Sequence, residues 1–247
     1  VSGIVMSFQF GTNWSNFSYA TANFLGPVLS YEVVTAFFLE AAFLGVLLFG
    51  RDKVPQGVHL FAAIMVATGT FISSFWILAA NSLMQTPQGL ELINGMYYVT
   101  SWADSLFTPS FGYRFAHMAL ASFLTASLVV AGVSAWFILQ KRELEANKKA
   151  LSIALWFLLV LAPLQAVVGD FHGLNTLKHQ PIKVAAMEGN WETSSQVPLL
   201  LFAIPDKENQ TNHFEVAIPG LASYVLTHDW DGVVPGLNEV PVEEQPP

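Results

Sequence analysis

The stretch YEVVTAFFLEAAFLG, residues 31–45, decides how this chain is read. Its aromatic and aliphatic residues continue an apolar run, yet it carries Glu32 and Glu40, the only charges between Val1 and Gly50. About 20 apolar residues cross a bilayer as a helix. An ionisable group inside such a helix costs several kcal/mol, at order of magnitude, and normally faces the protein interior, where it marks a pathway or a site. Glu40 lies about 12 Å deeper than Glu32 at 1.5 Å per residue, and about 80° further round an ideal helix. Both can therefore point into one broad internal face, an arrangement that suits proton uptake and release. The alternative is two hydrogen-bonded carboxyls that only join helices.

Composition agrees with a bilayer as solvent. Of 247 residues, 53% are hydrophobic and 11% charged, whereas a soluble domain is about a quarter charged. No cysteine is present, which excludes disulfides, thiolate metal sites and cysteine nucleophiles. Four stretches have the length and apolarity of spans: about 24–50, 58–80, 113–139 and 150–169. Residues 1–12 read as the end of an earlier span, and the chain as an internal piece of a longer one. The expected fold is an all-α polytopic membrane protein: a bundle over 1–169 followed by an irregular loop region over 170–247.

Basic residues in short loops set the orientation. Arg51, Lys53, Lys141, Arg142, Lys148 and Lys149 are six of the ten basic residues, and they fall on one side, taken as cytoplasmic. The connection 81–112 contains Glu91 and Asp104, and no lysine or arginine. From Asp170 onward eleven acids face three lysines, a difference equal to the formal net charge of −8. That segment is placed outside, periplasmic in a bacterium. Its prolines, Pro181 to Pro247, break it up, and VPLLLFAIPD and HFEVAIPG are its candidate strands.

Other polar residues are candidates for chemistry. His117 lies about one turn inside the third span, and Arg114 precedes it on the same face. An imidazole can ligate heme iron and a guanidinium can pair with a propionate; an intramembrane histidine can equally be an interhelical hydrogen-bonding group, and spacing leaves both open. His59 reads as interfacial. Thr68, Thr70, Ser73, Ser74 and Asn81 form a polar stripe on the second span. It suits close helix packing, or continuation of a proton path from Glu40. In the tail, Lys183 and Glu188 are five apart and could bind and deprotonate a quinol hydroxyl, a step that needs a positioned base; a solvated loop is the plainer reading. No Walker, GxGxxG, GxSxG or HExxH pattern occurs, and nothing points to nucleic acid.

Taken together, FQFGTNWS, AFFLE, WILAANSLMQTP, FAHMALAS and KVAAMEGNWET resemble subunit I of the cytochrome bd-type quinol oxidases. The likeness runs in order from about Met6 to Thr193, with similar loop sequence in FAIPDKENQTNHFEVAIPG. It implies a multi-pass protein of the bacterial cytoplasmic membrane that oxidises ubiquinol or menaquinol and reduces dioxygen to water. The implied cofactors are a low-spin heme b, a second heme b and heme d. Oxidase subunit II and small accessory subunits are the implied partners. By resemblance His117 is an axial ligand of the low-spin heme, with Arg114 beside it. Glu32 stands beside the oxygen-reducing hemes, and Glu40 and Ser73 lie on the proton route. Lys183 and Glu188 are the quinol pair, and Asp170 sits where their loop leaves its helix. The other heme ligands of the family lie outside this stretch, so the piece alone is expected to be inactive. Two other readings compete: an ion-coupled secondary transporter with Glu32 and Glu40 as its coupling site, and a non-enzymatic assembly subunit.

Overall fold

A chain in lipid must satisfy its backbone hydrogen bonds internally, which leaves the helix as the default element for an apolar run. The computed structural model, described for residues 2–245, follows that rule. Four helical stretches have the length and apolarity to cross a membrane: Ser15–Phe49, Gln56–Gln85, Trp102–Leu139 and Leu144–His179. The chain is an all-α polytopic membrane protein in architecture, and it divides into two compact units, Val1–Ser122 and Phe123–Pro247.

In the first unit, α1 (Ser2–Gly11) and α2 (Ser15–Glu32) lead into a π turn, Val33–Phe37, and then α3 (Phe38–Phe49). The first span thus begins near Ser15 and contains an interruption where the sequence suggests one uniform helix from 24 to 50. Pro27 removes a backbone donor inside α2. The turn RDKVP links α3 to α4 (Gln56–Gln85). His59 Nε2 donates to the Leu47 carbonyl across that turn, at 3.0 Å, a structural role consistent with its interfacial position.

Next comes a hairpin, β1 (Leu90–Ile93) and β2 (Met96–Val99), paired antiparallel from Leu90↔Val99 to Ile93↔Met96. Its two-residue turn is Asn94-Gly95, both at positive φ (51° and 80°), the backbone a primed hairpin turn needs. This hairpin was legible as an Asn-Gly pair and was missed beside the longer apolar signals. A short α5 (Trp102–Leu106) precedes α6 (Phe111–Leu139).

Phe24, Leu25, Val28, Ala80 and Leu83 form the core between α2 and α4, with Trp76, Leu90 and Val99 packed against it. A ring cluster of Phe75, Phe107, Phe111 and Phe115 joins α4 to the start of α6. Beside it the Thr86 hydroxyl meets Ser110 Oγ at 2.7 Å and Thr108 Oγ1 at 3.1 Å. Three buried hydroxyls in contact satisfy one another, which is what lets them be buried.

In the second unit α7 (Leu144–His179) runs ten residues beyond the apolar window that ends at 169. Asp170 is therefore inside a helix and not at its exit. Lipid solubility stops near residue 169, but nothing in DFHGLNTLKH forbids helical hydrogen bonding, and the helix ends only before Pro181, the N1 residue of α8 (Pro181–Glu188). The loop region expected over 170–247 takes a definite form. Strands β3 (Leu199–Asp206) and β4 (Thr211–Ile218) pair antiparallel where VPLLLFAIPD and HFEVAIPG suggested strands. Helix α9 (Leu221–Thr227) packs with Val197 and Val234 into a small core, Ala222 being almost fully buried. Pro246 and Pro247 lie outside the described residues.

Gly236 closes this lobe. A Cβ there would stand 2.4 Å from the Glu192 carbonyl carbon and 2.6 Å from Thr193 N, both backbone atoms. Gly236→Ala is expected to destabilise the tail lobe by about 1–3 kcal/mol, the usual range for overpacking. The readout is faster proteolysis within 190–245, with the spans unaffected.

Candidate functional site

Two clusters gather the chemistry-bearing side chains. The first lies where the α2–π–α3 span meets α4. Ser73 Oγ donates to Glu32 Oε1 at 2.7 Å, joining two helices 41 residues apart in sequence. Glu40 comes to the same strip of α4, one turn away: its Cγ faces Gly69, where a Cβ would approach it to 2.7 Å. Both carboxyls are half-buried. Ala36, between them, is fully buried. The structure thus places Glu32, Glu40 and Ser73 along one strip of α4, with the Ser73 hydroxyl on Glu32.

One further α4 residue, Trp76, makes two contacts beside this strip that have no local sequence signal. Trp76 Nε1 donates to Thr35 Oγ1 at 2.9 Å, and the Trp76 ring stacks on Tyr31 with centroids 5.5 Å apart. Thr35 Oγ1 in turn donates to the Tyr31 carbonyl at 2.6 Å.

On α6, Arg114 and His117 lie one turn apart on one face. Arg114 Nη1 donates to Asn81 Oδ1 of α4 at 2.9 Å. Its Nε is buried with no hydrogen-bond partner among the described residues. A guanidinium half-used in this way keeps a donor for an anion. Among the described residues no three His, Asp or Glu side chains gather as a metal cage. His117 is the one histidine on α6. Asn81, one of the polar residues on the second span, takes the guanidinium as its partner across the helix pair, which no local pattern signals.

The second cluster is in the tail. Lys183 and Glu188 both lie on α8, but five residues put them about 140° apart around its axis, so they flank the helix rather than share a face. Burial raises the Glu188 carboxyl above its ordinary range. The turn after it is held tightly. Gly189, at φ +71°, takes the left-handed cap that glycine favours, and Asn190 N–H returns to the Ala185 carbonyl at 2.9 Å. Asn212 of β4 donates to the Gly189 carbonyl at 2.9 Å and accepts from Trp191 Nε1 at 3.0 Å. The hairpin therefore fixes the end of α8 that carries Glu188.

Asp170 receives His228 Nε2 at 3.0 and 3.1 Å on its two oxygens, pinning the residue after α9 to α7. That partner, 58 residues away, had no local sequence signal. At the hairpin tip, hydrogen bonds from Asn209, His213 and Glu208 hold Asp206 down to about 2. These bonds make the partly exposed Asp206 the residue that closes the β3–β4 turn.

Comparisons with known proteins bear on the family and the fold. The family model for cytochrome bd terminal oxidase subunit I matches residues 1–247. The chain is 34% identical over 250 residues to cytochrome bd-II ubiquinol oxidase subunit 1 of Escherichia coli (strain K12), covering 99% of this chain and 48% of the relative. It is 33% identical over 244 residues to cytochrome bd ubiquinol oxidase subunit 1 of Bacillus subtilis (strain 168), covering 98% and 52%. The solved structure of bd oxidase from Geobacillus thermodenitrificans superposes with a TM-score of 0.81 at 33% identity, over 99% of this chain and 56% of that one. The chain spans about half the length of the curated relatives it matches. It belongs to the cytochrome bd terminal oxidase subunit I family.

Proposed function

We propose that this chain forms part of a terminal respiratory oxidase that oxidises a membrane quinol at the periplasmic side and reduces dioxygen to water, drawing protons from the cytoplasm. The observation that carries the reading is the carboxyl strip on α4: Glu32 bonded to Ser73, with Glu40 against Gly69 one turn along. Two half-buried acids and a hydroxyl in line are the parts of a proton path through lipid. The transporter alternative is not favoured: among the described residues the first span is interrupted by a single π turn, and no second broken helix pairs with it.

Family membership implies hemes, and the residues present fit them. His117 would bind the iron of the low-spin heme b through its imidazole, and the buried Nε of Arg114 would meet a propionate. A second heme b and heme d would complete the set, and hemes when bound supply the one-electron chemistry that links a two-electron quinol to dioxygen. Glu40 and Ser73 pass protons inward from the cytoplasmic side, and Glu32 delivers them. The segment 170–247 forms the quinol-binding loop. There Lys183 binds a quinol oxygen, Glu188 takes its hydroxyl proton, and Asp170, through His228, anchors the loop. The same reading assigns the bacterial inner membrane as location. The partners are oxidase subunit II, small accessory subunits and the bilayer, and ubiquinol or menaquinol is the substrate.

The test uses Glu188. A base works only when deprotonated, and burial raises this carboxyl. Quinol oxidation by the complete oxidase should therefore rise with pH through a value above the ordinary glutamate range. Glu188→Gln is expected to abolish that rise and lower kcat about 10²-fold, the scale of a lost general base. Lys183→Ala should raise KM for quinol with the heme spectrum intact. An unchanged pH profile in Glu188→Gln would remove Glu188 as the base.

A further inference from the structure

The π turn Val33–Phe37 lies between the two glutamates. In an unbroken α-helix, eight residues leave Glu40 about 80° round from Glu32. A π turn closes with an i→i+5 bond, here Phe38 N–H to the Val33 carbonyl, and so inserts one extra residue. That residue takes back about 100°, leaving the two side chains within about 20° of one another. The contacts agree: Glu32 meets Ser73 and Glu40 meets Gly69, positions i+4 and i on one face of α4.

The interruption is also held from outside. The Thr35 hydroxyl, inside the π turn, donates back to the Tyr31 carbonyl and accepts from Trp76 of α4. Tyr31 stacks on the same indole. Gly69 supplies the space: a Cβ there would meet the Ala36 carbonyl at 3.2 Å and Glu40 N at 3.3 Å, as well as Glu40 Cγ. α4 therefore touches the π turn at two points, a hydrogen bond at Trp76 and a close approach at Gly69.

We propose that this π turn, gripped by Trp76 through Thr35 and seated on Gly69, is the device that sets Glu32 and Glu40 in line, making Thr35, Trp76 and Gly69 positioning residues for the proton route. The inference rests on the reading of both carboxyls as proton carriers. Without the extra residue Glu40 would turn away from the strip that holds Ser73. A misplacement of about 1 Å in a proton path can cost about a hundredfold in rate.

The experiment compares Thr35→Val, Thr35→Ser, Trp76→Phe and Gly69→Ala in the complete, heme-loaded oxidase. Redox-difference infrared spectroscopy reads the carboxyl bands, assigned with Glu32→Gln and Glu40→Gln. Oxygen uptake is measured across pH. Thr35→Val keeps the side-chain shape and loses the hydroxyl, whereas Thr35→Ser keeps the hydroxyl. The expected result is displaced carboxyl bands and a tenfold to about hundredfold slower uptake in Thr35→Val and Trp76→Phe, with recovery in Thr35→Ser. Gly69→Ala should displace the Glu40 band more than the Glu32 band. Unmoved bands in Thr35→Val and Gly69→Ala, or a Thr35→Ser variant as impaired as Thr35→Val, would overturn the proposal. Full activity in Glu32→Gln and Glu40→Gln would instead remove the proton-route reading, while the bands of the positioning variants still decide the geometry.

Discussion

Replacing Glu40 by glutamine is expected to lower quinol-driven oxygen uptake of the complete oxidase by about 10²–10⁴-fold, the range for loss of a proton-transfer group. Glutamine has the same shape and keeps an acceptor oxygen and a donor in place of the second oxygen. Packing against Gly69, where the side chain already lies close, is therefore unchanged. What disappears is the ability to take and release a proton. Glu32→Gln gives the companion measurement, because the Ser73 hydroxyl that donates to Glu32 Oε1 can donate equally to an amide oxygen. A loss in both variants, with normal heme content, reports proton movement rather than collapse of the helix pair. A Glu40→Gln enzyme that consumes oxygen at the wild-type rate would take Glu40 off the route.

His117→Ala is expected to remove the low-spin heme b band from the reduced-minus-oxidised spectrum and leave the other heme bands. The imidazole is the only nitrogen ligand this part of α6 offers, and alanine leaves nothing in its place. The neighbourhood should survive the change. Arg114 remains tied to Asn81 at 2.9 Å, and the Phe75, Phe111 and Phe115 rings still hold α6 to α4. A retained low-spin band would return His117 to the class of interhelical hydrogen-bonding groups and place the ligand elsewhere. Loss of every heme band with inserted protein would indicate a general assembly defect, which quantifying total heme separates from loss of one ligand.

Much of this was written locally. The four spans follow from apolar composition, because a lipid-solvated backbone has few alternatives to the helix. Glu32, Glu40 and His117 stood out because an ionisable side chain is costly there and needs a reason. The strands of the tail were visible as short apolar runs between turn residues, and the Asn94-Gly95 hairpin was equally visible to anyone reading dipeptides.

The sequence by itself determined the solvent of each segment, the helices that follow from it and which side chains were too expensive to be incidental. Only the tertiary structure decided which of those side chains meet. Ser73 reaches Glu32, Asn81 takes Arg114 and His228 takes Asp170 across 41, 33 and 58 residues. The π turn that aligns the carboxyls has no signature in VVTAF, since its one extra residue is held by Trp76 on another helix. Local propensity acts within a few residues of the chain, whereas these partners are chosen by packing between helices, where a hydrogen bond or the absence of one Cβ sets the phase.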